Sequence, residues 1–385
     1  MTSTIPVARP LLDEREADAA RRVILSGWVT QGPEVAAFEQ EFAAAVGAPH
    51  ACAVSSCTTA LHVALTACGV SDGDEVVTVS HSFIATANAI RYCGATPVFV
   101  DVQRDTFNID PTRIESAISP RTKAILAVHQ FGMPCDLTAI LETAQRRGLP
   151  VIEDAACAVG SEMLRAGGWE RIGRPHGLIA CFSFHPRKLL STGDGGMLTT
   201  ADPALDRTFR LLRHHGMSVS DTVRHTASTV IEEHYPVLGF NYRMTDIQAA
   251  IGREQLKRLP EIVARRRKLA ARYQAELARC AGVRLPQEPA WAKTNWQSYT
   301  IRVERGRQRA IMQELLDAGI ATRRGAMNAH MEKAYPPGTW RSMGPLPESE
   351  DAQDTGIVLP LFHQLTESDQ DRVIEQVTRA AGGRS

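Results

Sequence analysis

The chain has 385 residues, of which 44% are hydrophobic and 22% are charged, proportions that are typical of a globular protein. Lysine plus arginine and aspartate plus glutamate both number 43, so the balanced charge favours neither a nucleic-acid-binding protein nor one with an acidic tail. A chain of this length allows one large domain and a smaller one.

The N-terminal segment has no apolar core of a signal peptide, and no run approaches the roughly 18 apolar residues that a membrane span needs. The 8 cysteines form no CxxC pair and no cysteine–histidine spacing typical of zinc sites. We therefore expect a cytoplasmic protein with reduced cysteines and neither a metal site nor a membrane or nucleic-acid partner.

Between about residues 50 and 200, short β-rich runs alternate with helical patterns. The predicted strands cover 75–79, 96–102, 123–129, 149–154, 179–184 and 195–200, and the helices between them cover 58–69, 85–94 and 136–148. This alternation predicts βαβ units, and hence an α/β fold whose mainly parallel mixed sheet is sandwiched by helices. In such sheets ligands bind beyond the carboxyl ends of the strands.

From Met244 onward the pattern changes to a long amphipathic helix, which we expect to be interrupted at Pro260. A strand over 298–303, a helix over 306–320 and a final helix that opens with a capping box at Thr366 follow. These elements predict a large domain over 1–261 and a smaller C-terminal α/β domain over 262–385. The first 25 or so residues should pack on the large domain as an arm and a helix.

The stretch "FSFHPRKLLSTGDGG" (182–196) has one lysine, Lys188, just after a predicted strand. The chain has no Gly-Lys dipeptide, so a Walker phosphate loop is excluded, and an HExxH motif is also absent. The position instead suits a lysine that forms a Schiff base with pyridoxal phosphate, with Ser183 near the phosphate. Considered alone, a surface lysine before a turn is the favoured interpretation.

Two other strand ends supply what such a cofactor requires. Asp154 ends the apolar strand of "VIEDAACAVGS" and would hold the proton of the pyridine nitrogen, or would simply cap the next helix. The segment "AVSSCTTALHVAL" (53–65) brings small hydroxyl residues to a helix start, which is either an anion site or an ordinary cap. Because each feature meets a different need of one cofactor, the three together predict a pyridoxal phosphate site.

The sequence resembles the DegT/DnrJ/StrS aminotransferases, pyridoxal phosphate enzymes with the aspartate aminotransferase (PLP-transferase) fold. The resemblance covers nearly the whole chain. It includes "SGWVTQGPEVAAFEQEF", "GDEVVTVSHSFIATANAI", "VHQFGMPCDL", "EDAACAVGS", "SFHPRKLLSTGDGGML" and "LGFNYRMTDIQAAIGREQL".

The resemblance implies a role for individual residues. Lys188 would be the Schiff-base lysine and Asp154 the partner of the pyridine nitrogen. Asn241 would reach the phosphate of the neighbouring subunit's cofactor, so the resemblance implies a homodimer with shared active sites. The remaining cofactor contacts would be Phe83 stacking on the ring, and Ser183, the backbone of Cys57 and Thr58 and the hydroxyl of Thr59 holding the phosphate.

Some positions depart from the family pattern. Cys157 stands where the family usually has Gln or His to donate to the cofactor's phenolic oxygen, and a thiol is a weak donor. Asp194 stands where Glu is usual. The C-terminal substrate segment departs most, and its Arg323 and Arg324 would bind a carboxylate or phosphate, or form a solvated turn. Further substrate candidates are His185, Arg243 and the histidine-rich stretch 214–236.

The expected function is transfer of an amino group from an amino acid, L-glutamate by resemblance, to a keto sugar that is nucleotide-linked, in a ping-pong reaction. Burial near a cationic ring would lower the pKa of Lys188 and make its amine a base. One alternative is an aminotransferase for a keto-cyclitol or another ketone in natural-product biosynthesis. Another is a non-catalytic pyridoxal-phosphate-binding regulator, which Lys188, Asp154 and Ser183 disfavour.

Overall fold

The structure is a computed structural model that describes residues 4–219, 224 and 227–382. Its α-helices are α1 (Glu14–Ser26), α2 (Pro33–Val46), α3 (Cys57–Ala67), α4 (Ala85–Tyr92), α5 (Pro111–Ala117), α6 (Leu137–Arg147), α7 (Pro203–Arg213), α8 (Asp246–Leu277), α9 (Gln308–Asp317), α10 (Pro347–Thr355) and α11 (Glu367–Ala381). Among the described helices, none combines the length and the apolar character that crossing a bilayer requires.

The strands are β1 (His50–Val54), β2 (Glu75–Val79), β3 (His81–Ser82), β4 (Thr96–Val100), β5 (Thr122–Val128), β6 (Val151–Asp154), β7 (Glu162–Arg165), β8 (Gly168–Arg171), β9 (Ile179–Ser183), β10 (Gly196–Thr200), β11 (Val283–Arg284), β12 (Ala292–Lys293), β13 (Tyr299–Val303), β14 (Arg323–Arg324), β15 (Met327–Asn328), β16 (Arg341–Ser342) and β17 (Gly356–Leu359).

The central sheet has 8 strands in the order β1-β10-β9-β6-β5-β2-β4-β16. Neighbours from β9 to β16 are parallel, whereas β10 runs antiparallel to both β1 and β9. All strands predicted between residues 50 and 200 lie in this sheet. The predicted α/β fold with a mainly parallel mixed sheet is confirmed.

Apolar side chains cover both faces of the central sheet, because successive residues of a strand point to opposite sides. On β9, Phe182 packs with α2 and α8 in one hydrophobic cluster. Its neighbour Cys181 belongs to the opposite cluster, together with α3 and α7. The carboxyl ends of β5, β6 and β9 therefore open between two layers of helices.

A third hydrophobic cluster forms around the 4-stranded sheet β11-β13-β17-β14, with α9, α11 and the end of α8. The N-terminal arm contributes to it: Ile5 is buried there and forms a bridge with Ile320, although the sequence assigned the arm to the large domain. The helix α1, in contrast, packs on α8. Thr366 caps α11 by accepting from the Asp369 N–H, but the reciprocal bond of a capping box is not found there because Asp is shorter than Glu.

The expected interruption at Pro260 is wrong, since α8 is continuous from Asp246 to Leu277. A proline inside a helix removes one hydrogen bond and costs about 3 kcal/mol. Packing offsets this penalty, because Leu256, Leu259 and Val263 around the proline are buried in the first cluster. The boundary predicted at residue 261 therefore lies inside a helix.

Candidate active site

A cavity of about 400 Å³ lies at the carboxyl ends of β5, β6 and β9, between the start of α3 and the short strands near residue 325. It brings together most of the residues that the sequence singled out. Those that line it are Cys57, Thr58, Phe83, Asp154, Cys157, Ser183, His185, Lys188, Arg323 and Arg324. Thr59, Asn241 and Arg243 do not line it.

Lys188 lies in the turn that follows β9, where its backbone N–H donates to the carbonyl of His185 over 2.8 Å. Its Nζ lies 3.0 Å from the Sγ of Cys157. Burial opposes the charge of this amine, but Cys157 and the Asp154 carboxyl outweigh burial and raise the pKa of Lys188. The sequence analysis expected a cationic ring to lower the pKa of Lys188. The protein's own side chains have the opposite effect on this pKa.

Asp154 ends β6 and is 5% exposed. Its Oδ2 accepts a 2.7 Å hydrogen bond from the hydroxyl of Thr86, and its Oδ1 accepts from the backbone N–H of Ala156 over 3.2 Å. Burial raises the pKa of Asp154, although these two donors partly offset the effect. Thr86 in turn bonds the hydroxyl of Ser82 over 2.8 Å. Thr86 was missed by the sequence analysis, because its partner is 68 positions away.

The residue before this acid is held by a second buried pair. Glu153 lies 2.9 Å from Nε2 of His129, and its other oxygen accepts from the Gly177 N–H over 2.7 Å. The Nδ1 of His129 accepts from the N–H of Cys135, so the ring proton is assigned to Nε2, facing Glu153. These contacts fix the residue of β6 that directly precedes Asp154.

The N-terminus of α3 faces the same cavity. Ser56 caps the helix by accepting from the N–H of Thr59, and Thr59 Oγ1 accepts from the N–H of Ser56 in return. The amides of Cys57 and Thr58 find no hydrogen-bond partner among the described residues. Because free N–H groups and the helix dipole attract anions, this end suits a phosphate. The hydroxyl of Thr59 is engaged in the cap, and its contact with the phosphate stays a prediction.

Gly196 lets β10 pass directly behind this helix start. A Cβ at this position would lie 2.4 Å from the backbone of Ser56 and 2.7 Å from the amide nitrogen of Cys57. Any larger residue would therefore displace the free amides.

Phe83 and Ser183 complete the inner part of the cavity. The Phe83 side chain is 58% exposed, which leaves its ring face available to a planar ligand. Ser183 ends β9 and is buried. Its hydroxyl accepts one long hydrogen bond, of 3.5 Å, from the backbone N–H of His185. Burial raises the pKa of Cys57 well above its usual value, so this thiol stays protonated.

The mouth of the cavity is basic. Arg323 and Arg324 form β14, and they line the cavity with His185 and Arg187. Partial desolvation and the proximity of Arg187 lower the pKa of Arg323, and burial lowers that of His185. Arg324 also lies 3.4 Å from Glu332. The sequence analysis missed Arg187, which sits beside Lys188 in the quoted stretch.

Asn241 and Arg243 lie outside this cavity. Asn241 is exposed and forms a bridge with His214, and Arg243 lies 2.8 Å from the Nδ1 of His214. Of the stretch 214–236, residues 220–223 and 225–226 lie outside the described residues. The roles of Asn241 at a neighbouring subunit and of Arg243 at a substrate stay predictions.

The residues present fit pyridoxal phosphate. The cavity volume suits a ligand of this size. A buried carboxyl, a lysine, an accessible aromatic ring and free helix amides line it together, and each matches a different part of that cofactor.

The comparisons with known proteins agree with this geometry. The sequence profile of the DegT/DnrJ/EryC1/StrS aminotransferase family matches residues 10–378. The chain is 38% identical over 378 residues to the spore coat polysaccharide biosynthesis protein SpsC of Bacillus subtilis (strain 168), covering 97% of this chain and 96% of SpsC.

Solved structures match over the whole fold. The crystal structure of the aminotransferase TlmJ from Streptoalloteichus hindustanus has 37% identity and a TM-score of 0.89, covering 98% of this chain and 99% of TlmJ. The PLP form of Spr1654 from Streptococcus pneumoniae has 27% identity and a TM-score of 0.90, covering 98% of both chains. The family and these structures imply pyridoxal phosphate as the cofactor. The chain belongs to the DegT/DnrJ/EryC1/StrS aminotransferase family and is an aminotransferase.

Proposed function

We propose that this aminotransferase moves an amino group from L-glutamate to a nucleotide-linked keto sugar, with pyridoxal phosphate held by Lys188. The observation that carries the proposal is the convergence of Lys188, Asp154 and the free amides of Cys57 and Thr58 on one cavity. Similarity to SpsC, a protein of spore coat polysaccharide biosynthesis, supports a sugar as the acceptor class.

Each residue has a distinct task. Lys188 would hold the cofactor through Nζ, and Asp154 would keep a proton on the ring nitrogen. The α3 amides and Ser183 would bind the phosphate, and Phe83 would cover the ring. When bound, pyridoxal phosphate supplies an electron-withdrawing ring that stabilises negative charge at the carbon bearing the amino group.

Lys188 is also the proton carrier. Its Nζ would take a proton from the carbon that bears the donor's amino group and deliver it to the cofactor carbon on the other side of the amino nitrogen. The amine must be neutral for this task, whereas the contacts of the protein alone raise its pKa. The cofactor-free side chains therefore leave Lys188 charged, and it becomes a base only once its positive charge is removed or opposed.

The basic mouth supports an acceptor that carries negative charge. Arg187, Arg323 and Arg324 line the entrance, and guanidinium groups bind phosphate oxygens in pairs. An uncharged keto-cyclitol would accept hydrogen bonds from these arginines but would lack the charge pairing that a phosphate makes with them. This contrast favours the diphosphate of a nucleotide-linked sugar.

We further propose a homodimer in which Asn241 reaches the neighbouring site. Asn241 is exposed, and the segment before it exposes apolar side chains, with Leu238 88% exposed. Exposed apolar surface of this kind is typical of a protein contact. Analytical ultracentrifugation of wild type and Leu238→Asp measures the association, which the aspartate should weaken.

The central test asks whether Lys188 is the lysine that binds the cofactor covalently. Borohydride reduction of the protein loaded with pyridoxal phosphate should fix the cofactor on Lys188, as peptide mass spectrometry would detect. Lys188→Ala should lower glutamate turnover by about ten-thousandfold, because it removes the proton carrier. The exposed Lys268→Ala is the matched control and should retain wild-type activity.

A spectroscopic half-reaction separates the alternatives. L-Glutamate should remove the visible absorbance of the loaded protein, and a nucleotide-linked keto sugar should restore it. An unchanged band with glutamate would instead support a non-catalytic regulator. Restoration by a keto-cyclitol but by no nucleotide-linked sugar would overturn the acceptor assignment.

A further inference from the structure

A short, largely buried segment, 294–298, contacts the loop that carries Lys188. It leads into β13 of the C-terminal sheet, yet Gln297 also lines the cavity. Its central residue, Trp296, has a positive φ of 52°, a conformation that non-glycine residues rarely adopt. The segment therefore makes a defined turn where it meets the catalytic loop.

The side chain of Gln297 holds the backbone on both sides of Lys188. Its Nε2 donates to the carbonyl of Arg187 over 2.6 Å, and its Oε1 accepts from the N–H of Leu189 over 3.1 Å. A carboxamide has one donor end and one acceptor end, so it suits a carbonyl and an N–H that lie two residues apart. Gln297 is 8% exposed, so water competes little for these bonds.

The same segment also holds the chain at Cys157. Asn295 is fully buried, and its Nδ2 donates to the carbonyls of Cys157 and Val159, both over 2.8 Å. The Oδ1 of Asn295 accepts from the backbone N–H of Gln297 over 2.8 Å. One turn therefore fixes the backbones that carry both partners of the contact between Lys188 and Cys157.

A buried arginine holds this turn. The Nη1 of Arg266, on α8, donates to the carbonyls of Trp296 and Gln297 over 3.0 and 3.2 Å. Burial lowers the pKa of Arg266 to about 10, and no carboxylate among the described residues pairs with it. A buried cation that binds only backbone carbonyls is costly, which indicates a turn under strong structural constraint.

We propose that Gln297 is a positioning residue that sets where the Lys188 amine meets the cofactor. A lysine side chain is long and flexible, so its reach depends on how firmly its backbone is anchored. A misplacement of about 1 Å at a reacting group can cost about a hundredfold in rate. The two bonds of Gln297 limit such displacement and connect the Lys188 loop to the C-terminal sheet.

This inference rests on the proposed role of Lys188, which borohydride trapping on the wild-type protein tests separately. If trapping fails on wild type, the role of Lys188 is wrong. If trapping succeeds, the variants below decide the role of Gln297.

The experiment compares Gln297→Met with Gln297→Glu in protein loaded with pyridoxal phosphate. Methionine has a similar shape and loses both bonds, whereas glutamate retains the acceptor toward the Leu189 N–H. Two readouts need no turnover: the pH midpoint of the visible absorbance without substrate, and the rate of borohydride trapping. We expect Gln297→Met to shift the midpoint by about half a unit or more, and kcat to fall about a hundredfold with KM for glutamate within about threefold.

The matched control is Gln370→Met in α11. Gln370 is fully buried and donates to one backbone carbonyl, that of Leu269, but it lies away from the cavity. The Gln370→Met variant should have a changed melting temperature, but its pH midpoint, trapping rate and kcat should be those of the wild type. If Gln297→Met leaves the pH midpoint and trapping rate at their wild-type values, the proposal is overturned. If Gln297→Met does not fold, the same criterion applies to Gln297→Glu, whose midpoint should also shift.

Discussion

At its inner end the cavity is lined by residues whose positions depend on contacts far along the chain, whereas its mouth is lined by exposed side chains of a two-residue strand. Asp154 is buried and held by Thr86, and the loop of Lys188 is held by Gln297. Arg323 and Arg324 lie on β14 and are exposed. Several segments of the chain together fix the positions of the side chains at the inner end, whereas few contacts fix those at the mouth.

This difference separates the reaction from the choice of acceptor. Changes at the inner end should alter every half-reaction, because all substrates meet the same cofactor. Changes at the mouth should alter only the substrate that reaches it. The following predictions test this separation, from the largest expected effect to the smallest.

Asp154→Asn should lower activity by about a thousandfold or more, since a neutral amide cannot hold the ring nitrogen's proton. The same variant should make the cofactor-free protein more stable at high pH. Burial raises the pKa of Asp154, so the folded wild type loses stability as pH rises through that raised pKa, and asparagine does not. Thermal melts from pH 4 to 9 and glutamate half-reaction rates measure both effects.

The control for this variant is Asp101→Asn. Asp101 is also buried, but it accepts from the N–H groups of Glu348 and Ser349 at the start of α10. Its asparagine variant should be less stable at neutral pH and should retain the half-reaction. A destabilised Asp154→Asn with unaltered chemistry would contradict the assignment of Asp154.

Arg323→Gln should raise the KM of the keto acceptor by about tenfold to a hundredfold, because a charge-assisted hydrogen bond is worth about 1.5–3 kcal/mol. The glutamate half-reaction should be unaffected. Arg324→Gln is the matched comparison and should have the smaller effect, because Glu332 already neutralises part of its charge. Equal losses in both half-reactions would instead mean that Arg323 binds the donor's carboxylate.

Cys157→Gln should retain or tighten cofactor binding, up to about tenfold, because a carboxamide is a better donor than a thiol. Spectroscopic titration with pyridoxal phosphate measures the Kd, and Cys157→Ala controls for loss of the thiol alone. A large loss of activity in Cys157→Gln at full cofactor occupancy would indicate that the thiol itself contributes to acceptor fit.

Thr59→Val should cost about 1 kcal/mol of folding free energy and leave cofactor affinity within about threefold, because the hydroxyl serves the cap of α3. Thr66→Val, which removes a hydroxyl bonded to the carbonyl of His62 in the same helix, is the control. A tenfold higher Kd for pyridoxal phosphate in Thr59→Val, but not in Thr66→Val, would indicate that the Thr59 hydroxyl binds the phosphate.

The sequence could predict what depends on local order along the chain. Asp154 was found because it ends an apolar strand, and Lys188 because it follows one closely. Parallel strands bring such ends to one edge of the sheet. Thr86 and Gln297 were not found, because their partners lie 68 and 110 positions away and nothing local distinguishes them. Pro260 was misjudged because propensity was counted without the tertiary packing that outweighs it.

The continuous helix α8 has a consequence for unfolding cooperativity. Its first half packs in the cluster of Leu256 and Val263, and its second half in the cluster of Tyr273 and Leu277. If one cluster unfolds, the half of α8 that packs in it unfolds too, and this destabilises the other half of the helix and the cluster around it. The two halves of the chain should therefore melt in a single transition, and a fragment ending at residue 261 should not fold by itself.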